Sequence, residues 1–298
     1  LMLSMLQQVG GGQHGARAFE LEVLRESRPA ARFDIPESDV VFVADRMQLA
    51  EVTVIVPLYN YAHYIEETLD SVREQSLPLL DLIVIDDRST DASLELAIAW
   101  ARRHAARFNR IAVMQNRNNA GLARTRNVGF DAAETAFVLP LDADNRLRPG
   151  CCAELLDALH ASGAGFAYPR IQSFGGSDYV LGSERYAPMR FAGSNYIDAM
   201  TMVGKWAWAA VGGFVHSQYG WEDYEFWCRC AEFGIRGRQV DEILAEYRFH
   251  QTSMLRTVTD LTENKMRLIR GLEARHRWLT ISRRPEGQAD ASSAADIS

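Results

Sequence analysis

FVLPLDADNRLR, residues 137–148, joins an apolar run to two carboxylates set one residue apart. Phe137, Val138, Leu139 and Leu141 read as a buried strand, and its C-terminal end, where open α/β sheets place their ligands, carries Asp142 and Asp144. Two carboxylates so placed can turn their oxygens to one point. That suits a hard divalent cation, Mg²⁺ or Mn²⁺, and through it a diphosphate. Asp-x-Asp alone is more often a solvated turn, so the rest of the chain must decide. A calcium loop counted from Asp142 needs Gly and Glu where Leu147 and Ala153 stand, and is excluded.

Upstream, VTVIVP (Val52–Pro57) is a β-branched run of the kind buried on both faces of a sheet. After the loop LYNYAHY, the residues Ile65, Leu69 and Val72 recur at helical spacing. LIVIDD (Leu82–Asp87) is the next strand. Ser89, Thr90 and Asp91 are cap residues for a helix carrying Leu94, Ile98 and Ala101, and IAVMQ from Ile111 is a further strand. The alternation predicts a mostly parallel sheet with right-handed crossovers, half of a nucleotide-binding α/β fold. NRNNAGLARTRNVGF then runs from a polar loop into a helix with Arg124 and Arg126 near its start, where amides and guanidinium groups can meet phosphate or a base. Solvated helix arginines are the equal alternative.

Downstream, Pro149 and CCAELLDALHA predict a helix, and GFAYP a short strand. Residues 170–205 read as loops and short strands shaping a second substrate pocket. In GWEDYEFWCRCAEFG a helix from Glu222 puts Asp223, Phe226, Trp227 and Cys230 on one face, a carboxylate at the edge of an apolar stripe; Gly234 ends it. By itself Asp223 is a first-turn acid favoured by the helix dipole. ILAEYRFHQTSM presents His250 after a strand.

The chain of 298 residues carries a formal charge of -7, which leaves no general basic surface for a nucleic acid, and 47% hydrophobic residues, ordinary for a globular protein. Cys151, Cys152, Cys228 and Cys230 match neither zinc nor disulfide spacing and are expected to be packed thiols. No run reaches the ~18 to 20 apolar residues of a membrane span, and LMLSMLQQVGGGQ lacks the basic start of a signal peptide. The expectation is a cytoplasmic protein or a piece of one, peripheral at the inner face of the membrane only through segments outside this chain. Residues 1–50 are expected to form a partly disordered arm with a short strand at Val40–Val43. Residues 51–280 form one domain, divided into a nucleotide-binding half (51–148) and an acceptor-binding half (149–280). Residues 281–298 form a disordered tail.

Taken in order, VTVIVPLYN, LIVIDDRSTD, NAGLARTRN, LPLDADN, the Gly-Trp-Glu-Asp helix start and Tyr247-x-x-His250 resemble the inverting glycosyltransferases of family 2, over Val52–Met254. The resemblance implies the GT-A fold, in which a mostly parallel central sheet flanked by helices is followed by a smaller, irregular acceptor-side half. It implies that Pro57, Tyr59 and Asp87 hold the nucleoside of a nucleotide-diphospho-sugar, in the first instance a UDP-sugar, with Arg126 close by. Asp142 would meet the ribose or bound water, or share the metal. Asp144 would coordinate Mn²⁺ or Mg²⁺, and His250 would add a ligand or a diphosphate contact. Asp223 becomes the general base toward a glycan, lipid-linked or other hydroxyl acceptor. Glu222 would orient it or touch the donor sugar, Trp221 would stack on an acceptor sugar, and Trp227 would belong to the core. Two rivals remain: nucleotidyl transfer, for which the chain lacks a Gly-rich basic triphosphate loop, and a catalytically idle nucleotide- or glycan-binding module.

Overall fold

The computed structural model describes residues 33–176, 178–250, 259 and 261–283. The first half of the chain alternates as its β-branched runs dictate: β1 (Ser38–Asp45), β2 (Val52–Leu58), α1 (Ile65–Arg73), β3 (Asp81–Asp86), α2 (Ser93–His104), β4 (Arg110–Asn116), α3 (Leu122–Ala132) and β5 (Phe137–Pro140). β2 and β3 are buried at every residue, as strands covered by helices on both faces must be. Successive side chains on a strand point to opposite faces. Val52, Val54 and Val56 therefore pack with Ile65, Leu69 and Val72 of α1 and Trp100 of α2, whereas Ile55, Ile83 and Ile85 pack with Val128 and Phe130 of α3.

The second half adds β6 (Arg146–Leu147), α4 (Cys151–Ser162), β7 (Phe166–Phe174), β8 (Val180–Leu181), β9 (Met202–Gly204), α5 (Lys205–Val211), α6 (Glu222–Glu232), β10 (Gly237–Arg248) and α7 (Thr262–Arg275). All strands join one 10-stranded sheet in the order β1-β4-β3-β2-β5-β9-β7-β10-β6, with β8 on β7. β2 is parallel to both β3 and β5, and β3 to β4. The chain winds outward from β2 to β4, then returns across β2 to β5. That reversal opens a crevice at the C-terminal ends of β2 and β5. Pro140 is tolerated inside the sheet because the N–H groups of Phe137 and Leu141 point to β2, while β9 pairs only with Phe137 and Val138. Its missing donor thus faces β9 beyond that ladder.

Several elements differ from the sequence reading. β1 exceeds the expected Val40–Val43: Phe42 and Ala44 pack on the core, and Glu37 and Asp39 pair with Arg117 after β4. Helix α2 has no side-chain bond at its cap residue Ala92; Asp91 Oδ1 instead accepts the Ser93 N–H at 3.0 Å. β7 runs on to Phe174, so the short strand expected at GFAYP is longer and takes in residues 170–174. Helix α6 is buried around most of its circumference, not on one stripe, because α7 and the turn after it cover its second face. Glu225 is paired there with Arg229 at 2.7 Å, and Glu232 accepts from Trp278 at 2.8 Å and bonds His276 at 2.6 Å. All the cysteines are buried free thiols. The disorder expected of the arm before Phe33 and of the tail beyond Arg283 falls outside the described residues.

Candidate active site

A cleft of about 570 Å³ lies at the crevice between β2 and β5. Pro57, Tyr59, Asp87, Asp142, Asp144 and Glu222 line it, together with Tyr61, Tyr64, Asn119, Gly121, His216 and Tyr247. A wider groove of about 950 Å³ between α4 and β10 holds none of the expected site residues. The loop after β2 is stitched to the loop after β3: the Asn60 N–H donates to Ser89 Oγ at 3.0 Å, the Thr90 N–H to Asn60 Oδ1 at 2.7 Å, and the Tyr61 N–H to Ser93 Oγ at 2.9 Å. Asn60 and Arg88 take left-handed φ of +57° and +66°, conformations that need such support in a non-glycine residue. The result is a fixed ledge on which Tyr59, 44% exposed, presents its ring.

Asp87 is the anchor of that ledge. Its Oδ1 accepts from Asn116 Nδ2 and from the Ala120 N–H, both at 2.8 Å, and its Oδ2 from the Gly121 N–H at 2.8 Å. A carboxylate has about four acceptor positions, so Asp87 holds the entry to α3 with three of them and keeps one toward the cleft it lines.

Arg126 of α3 ties the two halves of the site together. It is 2% exposed and donates Nη2 to Asp142 Oδ1 at 2.7 Å and Nη1 to Glu222 Oε1 at 2.8 Å. A strand end and a helix start 80 residues apart in sequence number are thereby clamped to one guanidinium. Both pairs strongly favour its charged form. Arg126 stands behind the cleft wall rather than in it.

Asp144, 8% exposed, lies with Oδ2 2.9 Å from His250 Nε2. Burial, and then the neighbouring charge of Asp142, raise its pKa. The loop that carries it is rigid: Thr68 Oγ1 donates to the carbonyls of Ala143 and Asn145, each at 2.9 Å, and Arg248 Nε to the Asp144 carbonyl at 2.8 Å. His250 packs edge-on to Tyr61 and beside Tyr64, with centroids 6.1 and 5.5 Å away. Asp144 and His250, in direct contact at 2.9 Å, are of residue types that could hold a divalent cation. Among the described residues no group of three or more His, Cys, Asp or Glu gathers around one point, so the protein would supply a partial shell and leave positions to water and phosphate oxygens.

Asp223 follows Glu222 in the first turn of α6 but does not line the cleft. Trp221, with φ of +62°, makes the turn into α6 and packs 5.8 Å from the Tyr224 ring; neither Trp221 nor Asp223 lines the nucleotide cleft. Asp223 Oδ1 accepts the Tyr224 N–H at 2.8 Å and Oδ2 accepts from Asn195 Nδ2 at 2.9 Å. Burial first, then the charges of Glu222 and Asp198, push its pKa up to about 7. The sequence reading missed both Asn195 and Asp198, which fall in a segment of no clear periodicity. Asp198 is itself pushed up to about 6 by burial and then by Asp142. The visible signal was an acidic residue within the apolar run Ile197–Met202.

The family described as glycosyl transferase family 2 matches residues 53–208, just over half of the chain. The amylovoran biosynthesis glycosyltransferase AmsB of Erwinia amylovora is 26% identical over 209 residues, 65% of this chain and 68% of that protein. Other curated relatives are matched over only 30% and 44% of their length. Among solved structures, Staphylococcus aureus TarS in complex with UDP-GlcNAc superposes with a TM-score of 0.65 at 20% identity, over 76% of this chain and 66% of that one. The mannosyltransferase PcManGT of Pyrobaculum calidifontis, in complex with GDP-Man and Mn²⁺, gives a TM-score of 0.58 at 20% identity, over 89% of this chain and 77% of that one. The sheet order, the acidic strand end and the family match agree: the chain belongs to glycosyl transferase family 2 and has a fold of GT-A type.

Proposed function

We propose that this chain transfers a sugar from a nucleotide-diphospho-sugar, in the first instance a UDP-sugar, to an acceptor hydroxyl with inversion at the anomeric carbon. The observation that carries the reading is the Arg126 clamp. It joins Asp142 of the strand end to Glu222 at the start of α6, and the reading puts Asp223, the next residue, opposite the leaving diphosphate. An inverting displacement needs that opposition, because the acceptor oxygen attacks the face of the sugar away from the leaving group. The bond from the acceptor oxygen to the anomeric carbon forms as the bond to the diphosphate oxygen breaks, and the electron pair leaves with the diphosphate. The hydroxyl proton passes to a carboxylate oxygen of Asp223, whose pKa of about 7 suits a base at neutral pH.

Tyr59 and Pro57 form the ledge for the base, and Asp87 holds that ledge in place. Asp142 stands by the ribose, and Glu222 by the donor sugar. Trp221 shapes the acceptor side through the turn that presents Asp223. Asp144 and His250, with Asp142 beside them, are the residues that would hold Mn²⁺ or Mg²⁺. When bound, the cation supplies charge neutralisation at the diphosphate, an effect of several kcal/mol. Among the described residues no helix is long and apolar enough to cross a membrane. We place the reaction in the cytoplasm, on a glycan or lipid-linked acceptor.

Calorimetry with UDP, GDP and their sugars tests this reading, with and without Mn²⁺. Divalent-dependent binding of a nucleoside diphosphate is expected, and its absence for every nucleotide abandons the proposal. Turnover must release nucleoside diphosphate; pyrophosphate would mean nucleotidyl transfer instead. Asp223→Asn is expected to keep donor affinity and to lower turnover by about 10²- to 10⁴-fold. Equal turnover removes Asp223 as the base.

A further inference from the structure

The turn Asn195–Asp198 stands against the start of α6 and is anchored on both sides. The Trp227 indole N–H of α6 donates to the Ile197 carbonyl at 2.9 Å, and Ile197 is 1% exposed. The Tyr196 ring packs 4.5 Å from Phe191, whose carbonyl accepts the Tyr224 hydroxyl. The Met200 N–H donates to Asp198 Oδ1 at 2.8 Å, and Thr201 Oγ1 to the Asp198 carbonyl at 2.7 Å. A turn fixed at so many points holds its side chains in one geometry relative to α6.

We infer that this turn sets the acceptor-side base: Asn195 is a positioning residue that fixes the carboxylate of Asp223, and Asp198 stands three residues further along the same anchored turn. The inference rests on the reading of Asp223 as the base. Asn195 donates to one carboxylate oxygen while the Tyr224 N–H holds the other, so the plane of the carboxylate is fixed from two directions. Among the described residues the charged groups that act most on Asp223 are Glu222 on its own helix, Asp198 on the turn and Arg126 on α3, a cation already bonded to Asp142 and Glu222. Asp198 in turn feels Asp142 and Asp144 from the strand end, and Arg126.

The two turn residues act on the base with opposite sign. A neutral donor bonded to a carboxylate stabilises the ionised form, and a nearby negative charge disfavours it. Asn195→Ala is therefore expected to raise the pKa of Asp223 and Asp198→Asn to lower it. The decisive measurement is a titration of the Asp223 carboxyl carbon by NMR in the full chain labelled at aspartate, for the wild type and both variants, with Asp223→Asn assigning the signal. It needs no substrate, so its outcome is separate from that of the transferase assay. The titration midpoint is expected to move by about half a pH unit or more, in opposite directions for the two variants. Asp198→Asn is isosteric and keeps an oxygen for the Met200 N–H; Asn195→Ser serves beside Asn195→Ala should the alanine variant melt early. A midpoint that stays put, or moves the same way in both folded variants, overturns the inference. In the transferase assay the rising limb of kcat against pH should move with the NMR value. Asn195→Ala should also lower kcat by about 10-fold at unchanged donor KM. A merely structural turn would move neither midpoint.

Discussion

The two sides of the active site treat their carboxylates differently. On the nucleotide side, Asp87 is held by backbone amides, Asp142 by a buried guanidinium, and Asp144 by an imidazole. On the acceptor side, Asp198 and Asp223 have only neutral hydrogen-bond donors, and burial pushes them up to about 6 and about 7. On the proposed reading the first arrangement would serve a cation and the second a proton. One sheet edge would then separate charge binding from proton transfer by the partners it provides, using the same residue type on both sides.

Arg126 is the point at which the two sides meet, so its loss should have the largest effect. Arg126→Ala leaves Glu222 buried beside Asp142 without their shared cation, a change that costs about 3–5 kcal/mol where buried pairs are broken. Chemical denaturation should show a loss of that size, with turnover falling on both counts. A loss below about 1 kcal/mol would mean that the halves are joined by packing alone. Asp144→Asn probes the nucleotide side by itself. It should weaken Mn²⁺-dependent binding of nucleoside diphosphate by about 10- to 100-fold, as changes at metal sites do, and leave the Asp223 titration where it was. A large displacement of that titration would show that the two sides are not electrically separate.

The difference between the sides also decides what could be read from the sequence. β2 and β3 are written in β-branched residues and β5 in apolar ones because both faces of a parallel sheet are buried, and their ends mark the ligand crevice. The placement of Asp142 and Asp144 at a strand end, and of Asp223 in the first turn of a helix, was therefore legible from an ordered series of motifs; their roles belong to the proposed function. Asn195 and Asp198 were not legible: their turn is held by Trp227, Met200 and Thr201, and hydrogen bonds of this kind leave no period in the sequence. The clamp role of Arg126 was hidden for a related reason. Its partners stand 16 residues and 96 residues away, and only the folded sheet brings them together. The same holds for α6, whose Glu225 and Glu232 are buried against Arg229, His276 and Trp278, the last two about 45 residues further along the chain.

The smallest effect, and the sharpest test of the contrast, concerns stability. Asp223 has a pKa of about 7 in the folded chain, above the ordinary 3.8. The folded state therefore binds this proton more tightly than the unfolded one. The stabilisation is fully present below about pH 4 and is lost as pH rises through about 7. Asp223→Asn has no proton to lose and escapes that loss. Above pH 7 the inactive variant should be more stable than the wild type by on the order of 1–3 kcal/mol, since a tenfold change in proton affinity is worth about 1.4 kcal/mol and coupling to Glu222 and Asp198 shares part of it. Near pH 4 the two should melt together. Melting curves at pH 4, 6 and 8 measure this. A variant that melts no later than the wild type at pH 8 would show that the acceptor-side carboxylate is stabilised as the anion after all, and that the two sides of the site do not differ in the way their hydrogen-bond partners imply.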